Sequence, residues 1–278
     1  MKLSQHRILT THVGSLPRSE EVFKLVFAKE AGEKIDMNHY DRVIADAVQT
    51  VVRKQTEVGV DVVSDGEQSK ISYATYIKHR LNGFDGDSPR RTPKDLEEYP
   101  AFSKRASSSG GVPTYSRPQC VGPISVKDLK PLEVDLQNFK DALSVSEATD
   151  AFMNAASPGV IAQFQPNQHY PDHSSYLYAL ADAMKVEYEG IAEAGLVIQI
   201  DSPDLALGRH VLFKEQSDEE FVAMAELHIE ALNHALQNIP AEQLRLHVCW
   251  GNYQGCLLYT SDAADDTPCV DLGGRRII

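Results

Sequence analysis

The sequence predicts an α/β fold of the (β/α)8 barrel type, incomplete, with about six of the eight strand–helix units present. Three observations predict it. Short, nearly continuous apolar runs alternate with longer segments of helical periodicity, the pattern of parallel strands covered by helices. Polar, glycine-, proline- or charge-bearing motifs sit just after the strands, one per strand, where a barrel gathers its functional groups. No Gly-x-Gly-x-x-Gly and no phosphate-binding loop follows any strand, which separates the chain from nucleotide-binding doubly wound sheets.

Arg7–Thr11 reads as a short first strand ending in His12-Val13-Gly14-Ser15-Leu16-Pro17-Arg18. Glu20–Glu30 reads as a helix with Val22, Leu25 and Val26 on one face, and Asn38–Val58 as a longer one stopped by Gly59. Asp61–Ser64 is a second strand, followed by Asp65-Gly66-Glu67-Gln68. Residues 82–116 are rich in Pro, Gly, Ser, Arg and Lys and read as an insertion with one or two short strands and mobile turns. Pro118–Val121 then leads into Gly122-Pro123-Ile124. Val134–Ala156 is expected to be mostly helical, Gly159–Phe164 to be a buried strand, and Gln165–Ser175 a polar loop. Tyr176–Ala194 reads as a helix before Gly195, Leu196–Ile200 as a strand ending in Asp201-Ser202-Pro203-Asp204, Asp218–Gln237 as a helix, and Leu244–Cys249 as the last strand.

The C-terminal residues do not read as protein. Cys256–Asp266 back-translates to a transposase sequencing adapter, and Cys269–Ile278 to the flow-cell primer that follows one. The expected division is therefore a truncated barrel over 1–255, carrying the 82–116 insertion, and a non-native, disordered tail over 256–278.

The chain carries 27 basic and 40 acidic residues, net −13, and −11 once the four aspartates and two arginines of the tail are set aside. An acidic surface argues against nucleic acid and anionic membranes as partners and for an ordinary soluble protein of the cytoplasm. No apolar run is long enough to span a bilayer, and Met1–His6 lacks the apolar core of a signal peptide. Of four cysteines, two lie in the tail, leaving Cys120 and Cys249, which is no disulfide framework.

His247-Val248-Cys249 carries the chemistry. Side chains two apart on a strand share a face, so an imidazole and a thiol can reach one ion, and nitrogen with sulfur suits zinc. Glu67 and Asp201 sit at separate strand ends that converge in a barrel, and two carboxylates suit a substrate ammonium group. Ser15 follows a glycine just past strand one, where its position alone reads as an ordinary turn serine or a helix cap before Pro17. His12 and Arg18 flank it as ligand contacts or solvated loop. His169 and His173 are four apart, but Pro171 between them favours a loop over a helical metal pair. Phe164, Tyr170 and Trp250 could stack on a flat ring or simply pack.

Thr11–Arg18, Ser64–Glu67, Gln199–Pro203 and His247–Asn252 stand in order at successive strand ends. Together they resemble the cobalamin-independent methionine synthase family, in its C-terminal catalytic barrel and its short single-barrel relatives, from about residue 7 to Gly255. The resemblance implies zinc-dependent transfer of a methyl group from a methyltetrahydrofolate-type donor to the thiol of homocysteine. It also implies roles: His247 and Cys249 as zinc ligands, Ser15 for the amino-acid carboxylate, Glu67 and Asp201 for its ammonium group, with Asp65 and Asp204 as neighbours. The family takes a Glu and a second Cys from later strands, which this chain lacks, so the chain itself is expected to bind zinc poorly and to be inactive. Where the family reads Asp-Glu-Pro, this chain reads Asp201-Ser202-Pro203. Two other readings are an alkyltransferase acting on another thiol, of the coenzyme M and epoxide type, and a ligand-binding barrel without metal.

Overall fold

The computed structural model describes residues 1–89, 91–109 and 115–249. Among them, four strands form one parallel sheet: β1 (Val62–Val63), β4 (Asp150–Ala156), β5 (Val197–Asp201) and β6 (Leu244–His247), in the order β1-β4-β5-β6. Thr11 adds a parallel bridge to Val62 on the outer side of β1. Spatial order thus follows chain order from Thr11 to β6, and no switch point reverses it. That is the wall of a barrel, not a doubly wound sheet. Between β1 and β4 the chain makes a separate antiparallel hairpin, β2 (Leu81–Asp85) with β3 (Gln119–Val126).

Helices follow the strands. α1 (Glu20–Glu30) and α2 (Met37–Glu57) come after Thr11, and α5 (Lys130–Ser144) after the hairpin. Then come α6 (Pro158–Phe164) and α7 (His173–Glu193) after β4, and α8 (Leu207–Val211) and α9 (Asp218–Leu236) after β5. Four of these helices start where the sequence supplies a cap. Ser19 accepts from Val22 N, Asp36 from Asn38 N and Asp172 from Ser175 N, and Ser217 with Glu220 forms a reciprocal capping box. α7 is the central covering helix: Tyr176, Leu177, Leu180, Met184, Tyr188 and Ile191 are all buried. Each such side chain is worth about 1.5–3 kcal/mol relative to leaving it exposed.

Four expectations are corrected. Only Thr11 of Arg7–Thr11 pairs with the sheet. The 134–156 segment divides into the end of α5 and the central strand β4. Its alanine-rich run Asp150–Ala156 favours helix locally, but burial of Ala151–Ala156 between neighbouring strands overrides propensity. Gly159–Phe164 is helix α6, not a strand. Ser157 caps it by accepting from Val160 N at 3.0 Å, and Pro158 occupies the first turn. Pro158–Gln163 are all buried, so no polar face betrayed the helical period. The 82–116 insertion carries, besides β2, two helices, α3 (Lys94–Glu98) and α4 (Pro100–Ser109). The six strand positions counted from sequence therefore become four parallel strands and a bridged fifth segment among the described residues. Trp250, Gly255 and the 256–278 tail lie outside the described residues.

α6 lies so close to the turn after β5 that residue 159 has no room for a side chain. A Cβ there would sit 2.0 Å from Asp204 Oδ2 and 2.4 Å from His228 Nδ1. Gly159→Ala is expected to lower the unfolding free energy by about 2–3 kcal/mol. Urea melts check this; a change below about 0.5 kcal/mol contradicts the packing.

Candidate functional site

The site is built at the carboxyl ends of the parallel strands, from two clasped loops and two rows of strand side chains. The loops follow Thr11 and β1. Leu16 N donates to Gly66 O at 3.1 Å, and the Arg18 guanidinium donates to the carbonyls of Glu67 (2.6 Å), Gln68 (3.1 Å) and Lys70. Arg18 is thus a clasp between loops. His12 turns the other way, its Nε2 2.6 Å from Gln55 Oε1 on α2. Burial lowers its pKa, so the neutral ring is favoured.

Glu67 stands out. It is the one non-glycine residue with positive φ among the described residues, at 55°. That conformation is strained and clusters at functional positions. Asp65 Oδ1 holds it by accepting from Glu67 N at 3.0 Å. The Glu67 side chain is buried, 4% exposed. Burial pushes its pKa up to about 7, with Asp201 and Asp65 adding to the rise and Lys70 and Arg18 opposing it. Gly14 is what lets it in, because a Cβ at 14 would lie 2.6 Å from Glu67 Oε1 and 2.6 Å from Asn154 Nδ2. Ser15 is exposed in the same loop.

The strand register places Asn154, Gln199 and Arg245 side by side, and Asp201 beside His247 two residues further along. Asn154 Nδ2 donates to Val13 O and to Asp201 Oδ2, both at 3.0 Å. Gln199 Nε2 donates to Asp201 Oδ1 at 2.8 Å, and its Oε1 accepts from Arg245 Nε at 2.7 Å. Arg245 also lies over the Phe152 ring at 3.6 Å and donates to His12 O at 2.9 Å. Lys70 Nζ, itself buried, donates to Asn154 O at 2.6 Å. Glu67 and Asp201 thus approach each other across Gly14 and Asn154, as expected. Asn154, Lys70 and Arg245 were not singled out from the sequence. The signal for Arg245 was its place two residues before His247 on one strand face. Asn154 was hidden by the helical reading of β4.

His247 Nδ1 hydrogen-bonds Asp201 Oδ1 at 2.9 Å. The imidazole also bonds the Cys249 side chain, so the two expected metal donors are neighbours. Burial lowers the His247 pKa, but Asp201 and Cys249 outweigh it and hold it at about 9. A carboxylate that orients a histidine through one ring nitrogen is the usual support of a metal-ligating imidazole. The donor types therefore fit zinc, but their number does not: among the described residues no group of three His, Cys, Asp or Glu could hold a metal.

The remaining expected residues face elsewhere. Asp204 bonds Ser157 and His228, and His173 meets His228. His169 packs edge-on to Tyr170. The Tyr170 hydroxyl accepts from Ile124 N at 2.8 Å and docks the hairpin, while Phe164 packs against Tyr73. No described helix is long and apolar enough to cross a membrane.

The family described as the cobalamin-independent synthase catalytic domain matches residues 8–89. A methionine synthase of Saccharolobus solfataricus is 27% identical over 258 residues, 92% of this chain and 67% of the relative. One of Sulfurisphaera tokodaii is 29% identical over 245 residues, 88% and 62% of the two chains. A solved B12-independent methionine synthase from Shewanella sp. W3-18-1, in complex with selenomethionine, has a TM-score of 0.55. It is 20% identical, over 79% of this chain and 55% of that one. A solved Listeria monocytogenes structure has a TM-score of 0.60 at 21% identity, over 89% and 68%. These likenesses establish the fold. The chain spans about 62–67% of the length of the curated relatives it matches.

Proposed function

The chain belongs to the cobalamin-independent methionine synthase family, and from that membership we propose that it is the greater part of a methyltransferase acting on homocysteine. The observation that carries the reading is Asp201. One carboxylate both orients His247 and lies close enough to Glu67 to raise its pKa. An amino acid whose ammonium group lies between Glu67 and Asp201 would then reach toward His247 and Cys249 with its thiol.

Glu67 and Asp201 receive the ammonium group, and its positive charge draws Glu67 into the ionised form that burial opposes. Ser15, beside the clasped Gly14, receives the carboxylate. His247 and Cys249 would hold zinc together with a carboxylate and a thiolate from outside this sequence. When bound, zinc supplies the charge that keeps the substrate sulfur deprotonated near pH 7. Overall, the homocysteine thiol gives up its proton, its sulfur bonds the methyl carbon, and the donor's carbon–nitrogen bond breaks. The nitrogen keeps the electron pair and takes a proton. A folate-type donor is the proposed second substrate, and the cytoplasm the proposed location.

The barrel proposed for 1–255 is an incomplete one. Leu246 and Val248, in and just after the last described strand, leave 46% and 45% of their apolar surface exposed. Residues 256–278 we take as foreign to the fold. A sulfonated thiol is the poorer substrate, because two buried carboxylates repel its anion and offer an ammonium group a place it does not have.

Calorimetric titration tests this. Homocysteine is expected to bind at least tenfold more tightly than 4-mercaptobutyrate, which lacks the amine, and Asp201→Ala is expected to erase the difference. Equal affinities in the unchanged chain contradict the proposal.

A further inference from the structure

Between the start of α6, the turn after β5, α7 and α9, four polar side chains form one chain of hydrogen bonds. Ser157 Oγ donates to Asp204 Oδ1 at 2.9 Å. The other carboxylate oxygen of Asp204 lies 2.8 Å from His228 Nδ1. His228 Nε2 lies 2.8 Å from His173 Nε2. Ser157, Asp204 and His228 are all at most 3% exposed, and the catalytic reading uses none of them. The chain ends at His173, which lines a pocket of about 330 Å³. Tyr176, Leu212, Phe213 and Met224 give that pocket apolar walls, and Arg91 is the cation among its lining residues. It shares no lining residue with the Glu67–Asp201 site.

With His228 neutral, the hydrogen bonds from Asp204 outward set what His173 presents. An ionised Asp204 accepts from His228 Nδ1–H, as a carboxylate does when it sets the tautomer of a buried imidazole. His228 Nε2 is then an acceptor and takes the proton of His173 Nε2–H. His173 Nδ1 is left with a lone pair. Burial lowers the His173 pKa to about 4, which keeps that ring neutral near pH 7. A neutral acceptor held in one tautomer between aromatic walls, with a cation at hand, is a specific combination. Asn167, Gln168 and Gln216 complete a lining that is part polar and part apolar, and the volume is at the small end of ligand pockets.

We propose that this pocket is a second small-molecule site and that its ligand is a single-ring phenolic carboxylic acid. The ring lies among Tyr176, Phe213 and Met224. The phenol O–H donates to His173 Nδ1, and the carboxylate pairs with Arg91.

The test uses the purified 278-residue chain and three probes: 4-hydroxybenzoate, benzoate without the hydroxyl, and phenol without the carboxylate. Ligand-observed NMR or calorimetry is expected to give a dissociation constant for 4-hydroxybenzoate at least fivefold below those of the other two. His173→Phe is expected to remove the preference over benzoate, and Arg91→Ala, on an exposed side chain, the preference over phenol. Nitrogen-15 imidazole spectra read the tautomer independently of any ligand or variant, with His173 protonated at Nε2 and bare at Nδ1. No binding at millimolar 4-hydroxybenzoate, affinities that ignore both substitutions, or a proton on His173 Nδ1 overturns the proposal.

Discussion

Glu67→Gln stabilises the protein at pH 8 and weakens homocysteine binding about 10–100-fold. The two effects have one origin. Burial lifts the Glu67 pKa from 4.5 to about 7, so the folded protein holds that proton more tightly than the unfolded chain does. Below about pH 4.5 both states are protonated and burial of this group is no handicap. Above about 7 the fold must accommodate an unwelcome charge, and stability falls through that window. A neutral glutamine removes the penalty, so the variant gains on the order of 2–3 kcal/mol at pH 8 and little at pH 4.5. The lost charge is the one an ammonium group would meet, and a charge-assisted hydrogen bond is worth about 1.5–3 kcal/mol. Urea melts at pH 4.5, 6 and 8, with homocysteine titrations at pH 8, measure both halves. A stability difference that does not change with pH contradicts the assignment of the raised pKa, and unchanged affinity contradicts the amine clamp. Stability given up at a binding position is common in proteins.

Arg80→Ala is expected to lower the unfolding free energy by about 3–5 kcal/mol, the usual effect of removing one partner from a buried ion pair. The Arg80 side chain is 4% exposed and reaches Asp135 of α5 at 2.5 Å and Glu187 of α7 at 2.8 Å. Tyr76 donates to Glu187 at 2.5 Å, and Ser69 to Asp135 at 2.7 Å. Without Arg80, two carboxylates remain buried with their compensating charge gone. The network ties the loop after Glu67 to two barrel helices, because Ser69 and Lys70 belong to that loop. The loss is therefore expected to weaken homocysteine binding as well. A triple variant with Arg80, Asp135 and Glu187 all replaced by Met or Leu is expected to recover most of the stability, since no unpaired charge is left. Denaturant melts of the single and triple variants decide it; a single variant within 1 kcal/mol of the unchanged protein contradicts the account.

Much of the site was legible because a strand end places a motif in a predictable direction. The last strand ends at His247, so Cys249 lies just past it and not on it as expected, yet the two are neighbours, and Glu67 and Asp201 lie close across Gly14. Long amphipathic helices were equally legible: α1 begins and ends at the expected residues, and α2, α7 and α9 fall within three residues of their expected bounds. Fully buried elements were the difficulty. β4 and α6 are both buried along nearly their whole length, so neither shows the polar side whose period separates helix from strand. The Ser157-Pro158 cap was the available clue, and missing it concealed Asn154. Arg18 and His12 show a different limit. Their types suggested ligand contacts, but only the fold reveals that one clasps two loops and the other turns back to α2.

We propose that the described residues carry the amino-acid half of a methyl-transfer site and two donors of a metal centre. The zinc content of the purified chain, measured by mass spectrometry after brief dialysis against a weak chelator, tests it most directly. The account predicts far less than one zinc per chain, with what is bound removed easily. One tightly held zinc per chain would contradict it.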